Sequence, residues 1–79
     1  MALVAEFIVE PFVPGNPGAH VTDAVAAATA AGATLDIGPF GTLVRADLDA
    51  IVLDAVEAAL RAALGAGATR VSVQIAVER

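Results

Sequence analysis

Few side chains in this 79-residue chain could do chemistry, and their spacing limits what that chemistry is. The lone histidine, His20, precedes Asp23 by three residues, a single helical pair with no third ligand at metal-binding spacing. Glu6 and Glu10 would share one face of a strand, yet the strand rise sets their Cα atoms about 13 Å apart, too far for joint acid–base work. Ser72 is the one serine, in mid-strand, and the chain has no cysteine and no tyrosine. A nucleophile, a base and an orienting group therefore have little to be built from. The glycines make no phosphate-cradling loop, and no basic residue stands near one. Neither catalysis nor a metal is expected. Binding is better served: Gly38-Pro39-Phe40-Gly41-Thr42 would set an aromatic ring and a hydroxyl on a rigid turn. From pattern alone it is a β-turn with a core Phe.

Composition narrows the partners. Hydrophobic residues make up 58% of the chain and twenty residues are alanine. Globular domains typically hold ~45–50% even with glycine counted. A body of this length forms one domain and buries only about 60% of its unfolded surface. Some apolar residues must then face outward, so a homo-oligomer is expected. The net charge of -5, from nine acids against four arginines and no lysine, speaks against nucleic acid and against an anionic membrane. Without cysteine there is no disulfide frame or zinc ribbon. The start has no basic leader region and no apolar run approaches the roughly 18 residues of a spanning helix. A cytoplasmic protein is expected.

The elements that must position these residues follow from hydrophobic period. Leu3, Ala5, Phe7 and Val9 alternate with Val4, Glu6, Ile8 and Glu10, a strand with one dry and one mixed face, ended by Pro11. Pro14-Gly15-Asn16-Pro17-Gly18 is turn chemistry, with Asn16 and Pro17 placed as a helix cap and first helical residue. Val21, Ala24, Val25 and Ala28 mark a helix over 18–31, stopped at Gly32. Strands over 33–37 and 42–46 are joined so briefly that they must be antiparallel neighbours. Asp47 is placed to cap a second helix over 48–64, with an apolar stripe of Leu48, Ile51, Val52, Ala55, Ala59 and Ala63. The last strand, 70–78, sets Val71, Val73, Ile75 and Val77 against Ser72, Gln74, Ala76 and Glu78. The order β-α-β-β-α-β gives an α+β, ferredoxin-like sandwich as a single domain over 1–79, a four-stranded antiparallel sheet with both helices on one face.

That fold leaves one sheet face without helices. Alternation assigns to it Glu6, Ile8, Glu10, Thr34, Asp36, Ser72 and Gln74, and with Arg45 turned outward Leu43 goes there too. Such a mixed face is expected to be mostly subunit contact, with a ligand pocket at its edge.

The run Ala5-Glu6-Phe7 through Pro11, the Gly32 stop, Gly38-Pro39-Phe40-Gly41-Thr42 and Gly67-Ala68-Thr69-Arg70-Val71 resemble, in order and spacing, the thiamine-binding, YkoF-like family of stand-alone ferredoxin-like proteins. Members of that family typically read Ala-Glu-Phe-Ser-Ile-x-Pro, Gly-Pro-Met-Gly-Thr and Gly-Ala-x-Arg-Val, and the resemblance covers essentially the whole chain. It implies a non-catalytic protein that binds thiamine or its hydroxymethylpyrimidine part and assembles as a dimer or tetramer through the open sheet face. Phe40, in place of Met, and Thr42 match the turn motif, and His20 stands where relatives often carry Tyr. The expected ligand set is Phe40, Thr42, Glu10, His20, Asp36 and Arg45, with no cofactor beyond thiamine or a related pyrimidine as ligand. A cationic heteroaromatic suits an acidic chain and a Phe face, and an aminopyrimidine asks for donors and acceptors that Glu10, Thr42 or His20 would supply. Arg45-Ala46 departs from the Glu-Gly of relatives, so Arg45 is expected either to meet a different ligand or to pair with Glu6 or Asp36. The alternative function is a structural or regulatory oligomeric module that responds to another small metabolite.

Overall fold

The structure, a computed structural model, describes residues 2–11, 18–38 and 41–78. Strand β1 (Ala2–Glu10) is followed by helix α1 (Ala19–Ala30), strands β2 (Thr34–Ile37) and β3 (Thr42–Arg45), helix α2 (Asp49–Gly65) and strand β4 (Arg70–Glu78). All pairings are antiparallel and the strands lie in the order β2-β3-β1-β4, the ferredoxin-like arrangement. The expected fold stands. Among the described residues no helix is long and apolar enough to cross a membrane.

Both helices end the same way, and glycine is the reason. Gly32 and Gly67 each adopt φ +102°, a left-handed conformation open to glycine at little cost. Behind each, two backbone bonds close the helix: Gly32 to Thr29 and Ala33 to Ala28 after α1, Gly67 to Leu64 and Ala68 to Ala63 after α2. The helix starts differ from expectation. Gly18 takes the cap position of α1, while Asn16 and Pro17 lie outside the described residues. Asp47 does not cap α2; extended Leu48 occupies that position without a side-chain bond. The working carboxylate is Asp49, in the first turn, whose Oδ1 accepts from the Leu3 amide at 2.9 Å and so ties α2 to the start of β1.

The core is built from small residues. Among the described residues, the buried apolar set is seven alanines, four valines and Phe7. Alanine at Ala24, Ala28, Ala55 and Ala59 keeps α1 and α2 close to each other and α2 close to the sheet. Every leucine and isoleucine among the described residues is at least partly exposed. Leu48, expected on the buried stripe, is 62% exposed because it precedes the helix proper. Ile75 and Val77 lie on the helix side of β4 but stay 46% and 45% exposed, since β4 is the sheet's edge.

Candidate functional site

The open face is organised by register. Glu6 lies opposite Gln74 on one side and Leu43 on the other, and Leu43 lies opposite Asp36. One row of side chains therefore crosses all four strands as Gln74, Glu6, Leu43, Asp36, on the face away from the helices. The neighbouring row carries Ala76 opposite Val4 and Arg45 opposite Thr34. Between the rows is a shallow depression of about 190 Å³, lined by Val4, Ala5, Glu6, Leu43, Gln74 and Ala76. Its floor is aliphatic, and its polar groups are one carboxylate and one amide. Such a seat can hold the edge of a small heterocycle: Glu6 accepts from an amine, and Gln74 both donates and accepts.

Glycine at position 41 shapes one wall. A Cβ there would stand 3.2 Å from Ile8 Cγ1 and 3.4 Å from Glu6 Cγ and Cδ. The Glu6 side chain thus leans across bare backbone, between the depression and the β2–β3 turn. That turn is closed by the Gly38 amide donating to the Gly41 carbonyl at 2.8 Å.

The residues expected to bind ligand divide among three places. Asp36 and Arg45 flank Leu43 on the open face. Glu10 points from the same face but from the far end of β1, where its Oε2 lies 3.7 Å from Arg70 Nε and its carbonyl accepts from Thr69. Thr42 and His20 are brought to neither. Thr42 is 5% exposed and pairs with Phe7 on the helix side of the sheet, so its hydroxyl is part of the interior and not of the open face. His20 Nε2 donates to the Pro11 carbonyl at 2.6 Å, and its ring lies over Gly18, where a Cβ would come within 2.7 Å of it. Histidine here joins the start of α1 to the end of β1. Phe40 lies outside the described residues.

Arg45 has a partner other than the two expected. Its Nη1 donates to Glu78 Oε1 at 2.5 Å, reaching across β1 to β4. Ala2 and Val4, opposite Glu78 and Ala76, are short enough to leave that path open. The hydrogen bond to Glu78 raises the guanidinium above its ordinary pKa. The Glu78 charge adds to this, partial desolvation opposes it, and Asp36 contributes a smaller pull upward. Among the described residues no cluster of His, Asp and Glu is arranged to hold a metal ion.

Expectation from pattern overlooked Glu6 and Gln74 as site residues. Alternation had put both on the open face; only the β1–β4 register shows that they stand opposite each other.

Among solved structures, the chain is similar to a domain of unknown function, DUF77, from Bacillus cereus: 26% identity, TM-score 0.70, covering 99% of this chain and 77% of that one. It shares its fold with protein SP2199 from Streptococcus pneumoniae at 21% identity and TM-score 0.51, covering 100% of this chain and 89% of that one. No curated protein matches it. The family model described as "Thiamine-binding protein" matches residues 5–79, a span that holds every strand and helix except the first three residues of β1, and the chain belongs to that family.

Proposed function

We propose that this protein is a non-catalytic binder of thiamine or its hydroxymethylpyrimidine moiety, with the depression on the open sheet face as the seat. The observation that carries this reading is the row Gln74, Glu6, Leu43, Asp36 across the open face of a chain from a family so described. An aminopyrimidine presents an amine donor beside a ring-nitrogen acceptor, a pair that the Glu6 carboxylate and the Gln74 amide complement. A thiazolium cation is favoured by the carboxylates of Glu6 and Asp36 and by a chain of net charge -5. Phe40, which precedes Gly41 in the chain, is the aromatic residue this reading assigns to stacking. The non-catalytic reading has support in His20, whose ring is engaged with the Pro11 carbonyl. Homo-oligomer formation through the open face would cover Ile8 and Leu43 around the ligand, in a cytoplasmic setting.

Calorimetry with thiamine and with hydroxymethylpyrimidine tests this. Binding is expected for the wild-type chain, with affinity falling about tenfold or more in Glu6→Gln as a charge-assisted hydrogen bond is lost. The melting temperature of the free variant should be unchanged. Saturating ligand that gives neither heat nor a melting shift refutes the assignment.

A further inference from the structure

The charges of the open face are unevenly matched. Among the described residues it carries two cations, and each already holds a carboxylate: Arg45 that of Glu78, and Arg70 that of Glu10. Glu6 and Asp36 have no ion-pair partner among the described residues, and the chain has no lysine. The face therefore suits a cation or a neutral ligand. It keeps no guanidinium in reserve for an anion.

The Arg45–Glu78 pair stands where an anionic substituent would have to go. Arg45 follows Val44, which lies opposite Ala5, so its side chain stands beside Val4, one of the residues lining the depression. From there it reaches over β1 to Glu78, two residues beyond Ala76, which also lines the depression. The row of Val4 and Ala76 is about 6.6 Å from the row of Glu6 and Gln74, the spacing of alternate strand residues. The depression runs from one row to the other. A pyrimidine whose amine meets Glu6 thus sends its hydroxymethyl group towards the ion pair.

With a free hydroxyl, that end of the ligand meets a pair whose charges cancel. A phosphate monoester brings a charge of about −1.5 to −2 at pH 7. Its natural anchor is a guanidinium, which takes phosphate oxygens in a two-pronged hydrogen bond. Arg45 could turn to it only by leaving Glu78, and the released carboxylate would then stand beside the phosphate. Glu6 repels the ester from the other row whatever Arg45 does.

We infer that Glu78 makes this seat selective for the unphosphorylated pyrimidine: by engaging Arg45 it withholds the guanidinium that a phosphate ester would need. The inference rests on the pyrimidine reading of the depression and adds to it which form of the ligand is taken. It places the protein before any phosphoryl transfer to the ligand's hydroxymethyl group, and after any hydrolysis that frees it.

Calorimetry at low salt with hydroxymethylpyrimidine and its monophosphate tests this on three chains. The wild-type chain should bind the alcohol about tenfold or more tightly than the ester. Glu78→Gln keeps the shape of the side chain, removes its charge and frees Arg45. The ester should gain about tenfold while the alcohol is held as before, so the gap closes. Glu57→Gln makes the same change in net charge and breaks the Arg61–Glu57 pair on α2, so it should leave the ratio at the wild-type value. Equal or tighter binding of the ester by the wild-type chain overturns the inference and leaves the pyrimidine reading standing. So does a ratio that Glu78→Gln leaves unchanged, or one that Glu57→Gln shifts as far. Binding of neither compound to the wild-type chain overturns both.

Discussion

The two faces of the sheet are made by the same strands, residue by residue in alternation, and they differ in kind. On the covered face β1 and β3 present Ala5, Phe7, Val9, Thr42 and Val44, all buried. On the open face their neighbours are Glu6, Ile8, Glu10, Leu43 and Arg45, none of them buried. Shifting any substitution by one residue moves it from one regime to the other. The covered face uses small side chains and sets stability, while the larger aliphatics and the charges lie outward, where they can meet another molecule. The contrast yields substitutions whose effects fall on only one side of the sheet.

The largest effect belongs to Phe7, the one phenylalanine among the described residues and part of an apolar interior otherwise made of alanine and valine. Phe7→Ala should cost about 3–5 kcal/mol in urea denaturation. A chain this short has roughly 4–12 kcal/mol in total, so the variant should be largely unfolded at physiological temperature. Retention of a wild-type midpoint would mean that the covered face is not where stability resides.

How legible each face was beforehand follows the same division. The covered face could be read from period alone: the strand alternation, the helical stripe of Val52, Ala55, Ala59 and Ala63, and glycines at the helix ends are all local signals. Period says which way a side chain points, but not how far the opposite layer extends. That is why Ile75 and Val77, correctly placed on the helix side, are half-exposed at an edge the helices do not reach. The Asp47 cap failed because Leu48, not Asp47, holds the cap position of α2; the carboxylate that is engaged, Asp49 in the first turn, binds an amide of β1, a contact distant in the chain. The open face depends on register, which joins residues far apart in the chain. Glu6 meets Gln74, and Arg45 meets Glu78 at a separation of 33 residues, neither announced by local spacing. Thr42 shows the converse: the turn motif marked it, but strand parity sends its hydroxyl inward.

A smaller effect, confined to the open face, is expected of Gly41. Its backbone needs no left-handed conformation, so Gly41→Ala should change stability by less than about 0.5 kcal/mol. The added methyl, however, would press on Ile8 and Glu6 from 3.2 and 3.4 Å and move the carboxylate by a few tenths of an ångström. Thiamine affinity should then fall several-fold in calorimetry while the denaturation midpoint holds. A variant that loses stability but keeps its affinity would reverse the roles assigned to the two faces.

The smallest effect tests whether Arg45 is a ligand contact or part of the electrostatic frame. Its ion pair with Glu78 is solvent-exposed, and such pairs contribute little to folding. With its pKa raised further by Glu78, the guanidinium stays charged at every working pH, so this charge offers no pH switch. What it does is offset one carboxylate beside a depression whose own charged group is Glu6. Arg45→Gln removes that offset and frees Glu78, making the face more negative by one charge with no change to the depression's lining. A cationic ligand should therefore bind about two- to threefold more tightly at low salt, and the gain should fade as ionic strength shortens the screening length to a few ångströms. An uncharged pyrimidine should show no gain, because nothing in its contacts has changed. Weaker binding of both ligands would instead make Arg45 a direct donor to them and extend the seat from the row of Glu6 to the row of Val4.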